Sequence, residues 1–217
     1  MTLTAAQDVI ARLAPEDYYV KAYRAMEADY LPHICAEVAE LPPGQALDIG
    51  PGWGTMMVWL SSVGWRVTGM DIMPFGHYIR WGLLHETKSR YAQADICRGH
   101  LYGRRYDLVL MTQVIPHLRW APVQAVRNAA KMLKAGGTFV TTALDVAVYP
   151  HVEAAYGTDW RAVPEYEKAE PTPDMVTCMY SAESFAEMLG EVFPNVTVGK
   201  PAASTVLLAS ARTPARS

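Results

Sequence analysis

The sequence has little of what marks secreted, membrane-spanning or disulfide-rich proteins. Its three cysteines, Cys35, Cys97 and Cys178, lie far apart and are odd in number, which favours reduced thiols over a disulfide framework or a zinc site. No apolar run approaches the ~18 residues that suggest a membrane-spanning helix. The first residues lack the basic region and the apolar region of a secretory signal. We therefore expect a cytoplasmic protein without a membrane partner.

Basic residues are not in excess either. The chain has 19 Lys plus Arg against 22 Asp plus Glu, a net charge of −3, whereas a nucleic-acid-binding protein usually carries a basic surplus or stripe. Two local groups of basic residues are interpreted as solvated surfaces: Arg98, Arg104 and Arg105, and Arg127, Lys131 and Lys134. We expect no nucleic-acid partner. What the chain does have is a hydrophobic fraction of 51% over 217 residues, which suits one globular domain.

The order of the predicted elements is typical of an α/β protein. Residues from about 4 to 40 show helical spacing, and Leu41-Pro42-Pro43-Gly44 ends this stretch. Strands and helices then alternate, which predicts a doubly wound, mostly parallel sheet with helices on both faces. The clearest strands are predicted at 46–49, 65–70, 106–111 and 138–143, the last one after a turn at Ala135-Gly136-Gly137.

A single domain with four parts is expected: an N-terminal helical cap (1–44), a ligand-binding core (45–144), an insertion (145–180), and a C-terminal helix with two strands (181–211). The insertion is rich in proline and aromatic residues, and a loop this long in a compact domain is usually functional. We predict that it forms a lid over the substrate. Its candidate lining residues are Tyr149, Tyr156, Trp160 and Tyr180.

The segment ALDIGPGWGT, from Ala46 to Thr55, is the most informative stretch. Glycines at 50, 52 and 54 allow unusual backbone angles and let a ligand approach the main chain, at the edge of a doubly wound sheet where ligands bind. Their G-x-G-x-G spacing differs from the G-x-G-x-x-G of dinucleotide sites. A carboxylate at Asp48 would repel a pyrophosphate and attract an ammonium group.

Two more acidic residues end the next two predicted strands, Asp71 in VTGMDI and Asp95 in YAQADI. A carboxylate at the first position can accept hydrogen bonds from two ribose hydroxyls. A single aspartate at a strand end is often a turn residue or a helix cap. Three in sequence, each ending a parallel strand, favour one shared ligand.

LDIGPGWGT resembles motif I of the class I S-adenosylmethionine (SAM)-dependent methyltransferases, and YDLVLMTQVIPHL resembles motif IV of their small-molecule branch. MLKAGGTFV is similar to the family pattern before strand five, with Ala135 where proline is usual. The resemblance implies a seven-stranded Rossmann-like sheet, SAM as the cofactor, and methyl transfer to an O or N atom of a small molecule by in-line displacement. It implies these cofactor-binding residues: Asp48, Gly50, Gly52, Gly54, Asp71, Ile72, Asp95, Ile96, Gln113 and Tyr19. Asp95 and Ile96 would lie at the adenine.

Motif IV also narrows the activity. It has neither the N-P-P-Y or D-P-P-Y of enzymes that methylate nucleic-acid amino groups nor the P-C of pyrimidine methylases, and no carboxylate cluster for a divalent cation. A metal-independent enzyme is therefore expected. Two alternatives stay open: a SAM-binding regulatory module without turnover, and a protein or RNA methyltransferase. Either a monomer or a homodimer is compatible with the sequence.

Histidine is the candidate general base, because its ordinary pKa of about 6.5 leaves it mostly neutral at pH 7. His117 follows the fourth strand and is the leading candidate; it could equally be a helix-start histidine bonded to the backbone. His151, in the insertion, is the second candidate. In the N-terminal helical stretch, Tyr19 and Tyr23 could contact the cofactor or the substrate, or could simply pack.

Overall fold

The computed structural model describes residues 1–13, 23–75, 77, 79, 81–99, 105–166, 176–202 and 204–215. Tyr19 and Arg104, both named above, lie outside these ranges. The described residues form one sheet with helices on both of its faces.

The sheet has seven strands in the order β3-β2-β1-β4-β5-β7-β6. Five neighbouring strands are parallel, and β7 runs antiparallel to both β5 and β6. The predicted seven-stranded, mostly parallel sheet is confirmed. The strands are β1 Gln45–Ile49, β2 Arg66–Asp71, β3 Arg90–Gln93, β4 Tyr106–Met111, β5 Leu133–Leu144, β6 Val196–Gly199 and β7 Val206–Arg212.

Six α-helices are described. They are α1 Leu3–Leu13, α2 Arg24–Ala39, α3 Thr55–Ser62, α4 Trp81–Thr87, α5 Pro122–Met132 and α6 Ala182–Gly190. A short 3-10 helix, Ile115–His117, follows β4. No helix in these ranges is long and apolar enough to cross a membrane.

The start of β5 differs from the prediction. The sequence predicts a turn at Ala135-Gly136-Gly137 and a strand from Thr138, whereas the strand begins at Leu133. Its pairing with β4 shifts register between Tyr106 and Leu108, and Gly136 has a φ of +74°. A glycine in this conformation accommodates such an irregularity inside a continuous strand, which is why the turn-like composition belongs to a bulged strand.

Each face of the sheet buries its own hydrophobic cluster. Neighbouring residues of one strand alternate between the clusters: Leu108 and Val140 belong to the cluster under α1–α3, and Val109 and Phe139 to the one under α5 and α6. All four are fully buried. Side chains alternate across a strand, and a parallel sheet covered on both faces makes both sets apolar. The rigid sheet fixes where its strand ends lie.

The predicted lid is a chain of turns without helix or strand in its described parts, 145–166 and 176–180. Asp145 and Tyr180 pair as an isolated bridge at its two ends. Trp160 and Tyr180 are buried in the cluster under α5 and α6. The prediction that these two residues line a substrate pocket is therefore wrong; they close the core beside the sheet.

Candidate functional site

A cavity of about 760 Å³ lies at the carboxyl ends of the first four strands. Its walls come from one face of α2, the glycine loop after β1, and the segments after β2, β3 and β4. Its size is ordinary for a small-molecule site. The lining residues that matter here are Tyr23, Met26, Glu27, Tyr30, Asp48, Gly50, Gly52, Asp71, Ile72, His77, Asp95, Ile96, Gln113 and His117.

The glycine loop brings main chain to the cavity wall. Gly50, Gly52 and Gly54 all have positive φ, at +64°, +52° and +90°. A Cβ atom on Gly50 would lie 2.3 Å from Cγ2 of Val114, whereas one on Gly52 would have no atom within 4 Å. Gly50 therefore permits close packing of the loop against the segment after β4. Gly52 keeps an open space beside the backbone, as a bound ligand requires.

Asp48 lies at the end of β1 and is 1% exposed. Its Oδ1 atom is buried and has no hydrogen-bond partner within the described chain. Burial, and then the charges of Asp71 and Glu27, raise its pKa to about 8. A buried carboxylate oxygen without a donor is costly, and a cationic donor entering the cavity would relieve that cost. The ammonium group of SAM fits this requirement.

Asp71 and Asp95 both line the cavity, and both also fix a turn. Oδ1 of Asp71 accepts the backbone N–H of Met73 at 2.9 Å, and Oδ1 of Asp95 accepts that of Cys97 at 2.8 Å. The turn interpretation and the ligand interpretation are compatible, because the turn holds each carboxylate at the cavity. Burial is the main reason why the pKa of Asp71 is raised.

Around Asp95 the cavity wall is apolar. Ile96 is buried, whereas Ile72, beside Asp71, is 56% exposed.

Burial raises the pKa of Cys97 to about 12, so its thiol is not reactive at neutral pH. Cys35 and Cys178 are also buried and unpaired, as the sequence indicates. No three His, Cys, Asp or Glu side chains in the described ranges converge to hold a metal ion.

Gln113 adopts a left-handed backbone conformation, with φ of 54°. Its backbone N–H donates to Oγ1 of Thr142 at 2.8 Å, and its side-chain Nε2 donates to the same oxygen at 3.1 Å. Such a conformation is uncommon for residues other than glycine and is concentrated at functional sites. Thr142 holds Gln113 at the cavity wall.

Only one of the two candidate bases reaches the cavity. His117 ends the 3-10 helix after β4, is among the cavity-lining residues, and donates its backbone N–H to the carbonyl of Val114 at 2.9 Å. His151 is exposed, packs its ring 6.4 Å from that of Tyr149, and is not among the cavity-lining residues.

The cavity residues that the sequence analysis did not identify include His77 and Glu27. Glu27 is 6% exposed, and both of its carboxylate oxygens accept from the Thr55 hydroxyl at 2.9 Å. It follows Tyr23 by one helical turn on the face of α2 that also carries Met26 and Tyr30. The sequence signal that could have identified Glu27 is an acidic residue among Tyr23, Met26 and Tyr30, which share one helical face.

Comparisons with known proteins agree with this geometry. A family model described as "Methyltransferase domain" matches residues 19–192, most of the chain. The ubiquinone biosynthesis O-methyltransferase of Xanthomonas campestris pv. campestris is 26% identical over 148 residues, 65% of this chain and 60% of that protein. The chain thus spans about 60% of the length of this curated relative.

Among solved structures, the complex of DhpI with SAH superposes with a TM-score of 0.66 at 15% identity, covering 99% of this chain and 96% of that one. The N-methyltransferase NodS from Bradyrhizobium japonicum, in complex with S-adenosyl-L-homocysteine, gives a TM-score of 0.61 at 20% identity, covering 96% and 98%. At these identities the likeness establishes the fold.

Proposed function

This chain belongs to the family of methyltransferase domains, and we propose that it transfers a methyl group from SAM to an oxygen or nitrogen atom of a small molecule. The observation that carries the proposal is the buried, unpartnered Oδ1 of Asp48 beside the glycine loop. Asp71 and Asp95 line the same cavity. Three carboxylates around one cavity suit a cationic nucleoside ligand and oppose an anionic dinucleotide.

SAM supplies a methyl group already activated on a sulfonium, so the protein needs no metal for the transfer itself. In this proposal Asp48 binds the ammonium group and Asp71 accepts hydrogen bonds from the ribose hydroxyls. Asp95 and Ile96 hold the adenine. Because these residues lie at or just after the carboxyl ends of β1, β2 and β3 in one sheet, they fix the reacting atom relative to the acceptor, and orientation alone lowers the barrier substantially.

His117 is the proposed general base. It lines the cavity from the segment after β4, as Gln113 does, and in this proposal its ring accepts a proton from a hydroxyl or ammonium acceptor. Tyr23, just before α2, and Met26 and Tyr30 on α2 contribute a partly apolar part of the cavity wall. We therefore propose a small acceptor that lies between α2 and the segment after β4.

The relatives support both kinds of acceptor atom, because the Xanthomonas protein is named an O-methyltransferase and NodS an N-methyltransferase. Given three reduced cysteines, we place the enzyme in the cytoplasm. A SAM-binding module without turnover is the alternative, and the presence of His117 among the cavity-lining residues favours the enzyme.

Calorimetry with SAM, S-adenosylhomocysteine and NAD tests the cofactor. We expect micromolar binding of the first two, weakened at least tenfold by Asp71→Ala, and none of NAD. Binding of NAD without SAM would overturn the proposal. A screen of small hydroxyl and amine acceptors with methyl-labelled SAM then tests turnover, and the His117→Ala variant serves as the low-activity control.

A further inference from the structure

Two buried carboxylates from different parts of the chain face the same cavity. Asp48 is the last residue but one of β1, and Glu27 lies on α2, where its carboxylate accepts from the hydroxyl of Thr55, the residue after the glycine loop. Both are less than one tenth exposed. The glycine loop and the aspartates that follow it belong to the proposed cofactor site, whereas Glu27 is an additional buried carboxylate that accepts hydrogen bonds from Gln7 and Thr55.

The electrostatic surroundings of Asp48 are strongly negative. Burial, and then the charges of Asp71 and Glu27, raise its pKa, while His77 acts to lower the pKa of Asp71. The other titratable groups that line the cavity are Tyr23 and Tyr30 from α2, Asp95 and Cys97 after β3, and His117 and Arg119 after β4. Within the described residues no cation donates a hydrogen bond to Oδ1 of Asp48.

We propose that the Asp48 carboxyl keeps its proton in the ligand-free protein, because it is buried without a donor and shares its cavity with the carboxylates of Asp71 and Glu27, and that the ammonium group of the cofactor displaces this proton on binding. The inference rests on the proposed function, since it needs a cationic cofactor. Carboxyl groups that share a buried site do not all ionise, because their negative charges repel each other. A buried carboxylate is stable only when a cation or a hydrogen-bond donor pairs with it.

The exchange conserves charge within the cavity. The O–H bond of the Asp48 carboxyl breaks and its proton passes to the buffer. The ammonium N–H groups then donate hydrogen bonds to the resulting carboxylate. No electrons are transferred. Cofactor binding is therefore coupled to pH: affinity rises with pH up to the range where Asp48 is ionised in the free protein.

Proton release can be measured by titrating S-adenosylhomocysteine into the protein in buffers with different ionisation enthalpies. This probe carries the ammonium group but not the sulfonium. With Asp48 at a pKa of about 8, we expect ~0.9 proton released per ligand at pH 7 and ~0.5 at pH 8. Binding heats that do not depend on the buffer at pH 7 would overturn the inference and leave the proposed cofactor intact.

Three variants identify the group that releases the proton when the ligand binds. Asp48→Asn should bind more weakly and release no proton. Glu27→Gln keeps an acceptor for Thr55 but removes one charge, so release at pH 7 should fall to about one half if the pKa of Asp48 drops by about one unit. Glu37→Gln, on the exposed side of the same helix, should behave as the wild type.

An unchanged proton number in Glu27→Gln would overturn the role of Glu27. Complete failure of the wild-type protein to bind S-adenosylhomocysteine would overturn both this inference and the proposed function. The two failures are thus distinguished by whether the probe binds at all.

Discussion

Gln113 and Thr142 are joined by two hydrogen bonds that converge on one oxygen atom, Oγ1 of Thr142. The threonine is fully buried in β5, and the glutamine lies two residues after the end of β4 in a left-handed conformation. A strained residue persists only where its surroundings hold it. The side chain of Thr142 on β5 therefore sets the position of Gln113, a cavity residue in the segment after β4.

Thr142→Val removes both hydrogen bonds while keeping the shape of the side chain. We expect a loss of about 1–3 kcal/mol in the free energy of unfolding, because a backbone N–H loses its partner. We also expect at least a tenfold fall in kcat/KM, because Gln113 is no longer held. Urea unfolding and steady-state kinetics measure the two effects. Thr142→Ser is the matched control and should retain both properties; equal activity in the valine and serine variants would contradict the positioning role.

The glycine loop offers a second prediction, with an internal control. Gly52→Ala places a methyl group where no atom lies within 4 Å, so the protein should fold, with a cost of about 1–2 kcal/mol for the left-handed backbone. S-adenosylhomocysteine should bind at least tenfold more weakly, because the methyl group fills the proposed cradle. Gly199→Ala, at the exposed end of β6 with equally open surroundings, should bind the ligand normally.

Gly50→Ala should behave differently, since its methyl group would meet Val114 at 2.3 Å. Here we expect a lower Tm together with lost binding. If Gly52→Ala binds as tightly as the wild type, the ligand does not approach the loop at that glycine.

The parts of the site that the sequence predicts are those fixed locally. The glycines and Asp48 stand within a few residues of one another, and Asp71 and Asp95 each end a strand of recognisable composition. Because the sheet is parallel, its strand ends meet at one edge. Neighbouring residues along the chain were therefore enough to place these groups around one cavity.

Glu27, Trp160 and Tyr180 depend instead on how distant segments dock. Glu27 reaches the cavity because α2 packs its Tyr23–Met26–Tyr30 face over the glycine loop, and no local pattern specifies that partner. The aromatic residues of 145–180 are equally compatible with a lid and with a core. The choice follows from Trp160 and Tyr180 packing under α5 and α6, a contact between segments remote in sequence.

The raised pKa of Asp48 gives a prediction about stability in the ligand-free protein. Its pKa is about 8 in the folded state against an ordinary value of 3.8. Between these values the unfolded chain ionises the carboxyl and the folded protein does not, so the contribution of Asp48 to stability is lost as pH rises from about 4 to 8. Asp48→Asn stays neutral throughout.

Urea unfolding of the wild type and of Asp48→Asn at pH 5, 6, 7 and 8 measures this effect. The wild type should lose free energy of unfolding relative to the variant by up to ~1.4 kcal/mol per pH unit. Groups present in both proteins cancel in the difference. Parallel pH profiles would show that Asp48 ionises freely in the folded protein.

His117 and His151 provide the test of general-base catalysis, because the first is among the cavity-lining residues and the second is not, although both are exposed. His117→Ala should lower kcat about a hundredfold, within the range that a positioned base contributes, while SAM affinity measured by calorimetry changes less than about threefold, because His117 is not among the proposed SAM-binding groups. His151→Ala is the matched control and should keep both kcat and affinity. A near-normal kcat in His117→Ala would assign this residue to the turn after β4 alone and leave orientation of the acceptor as the source of the rate.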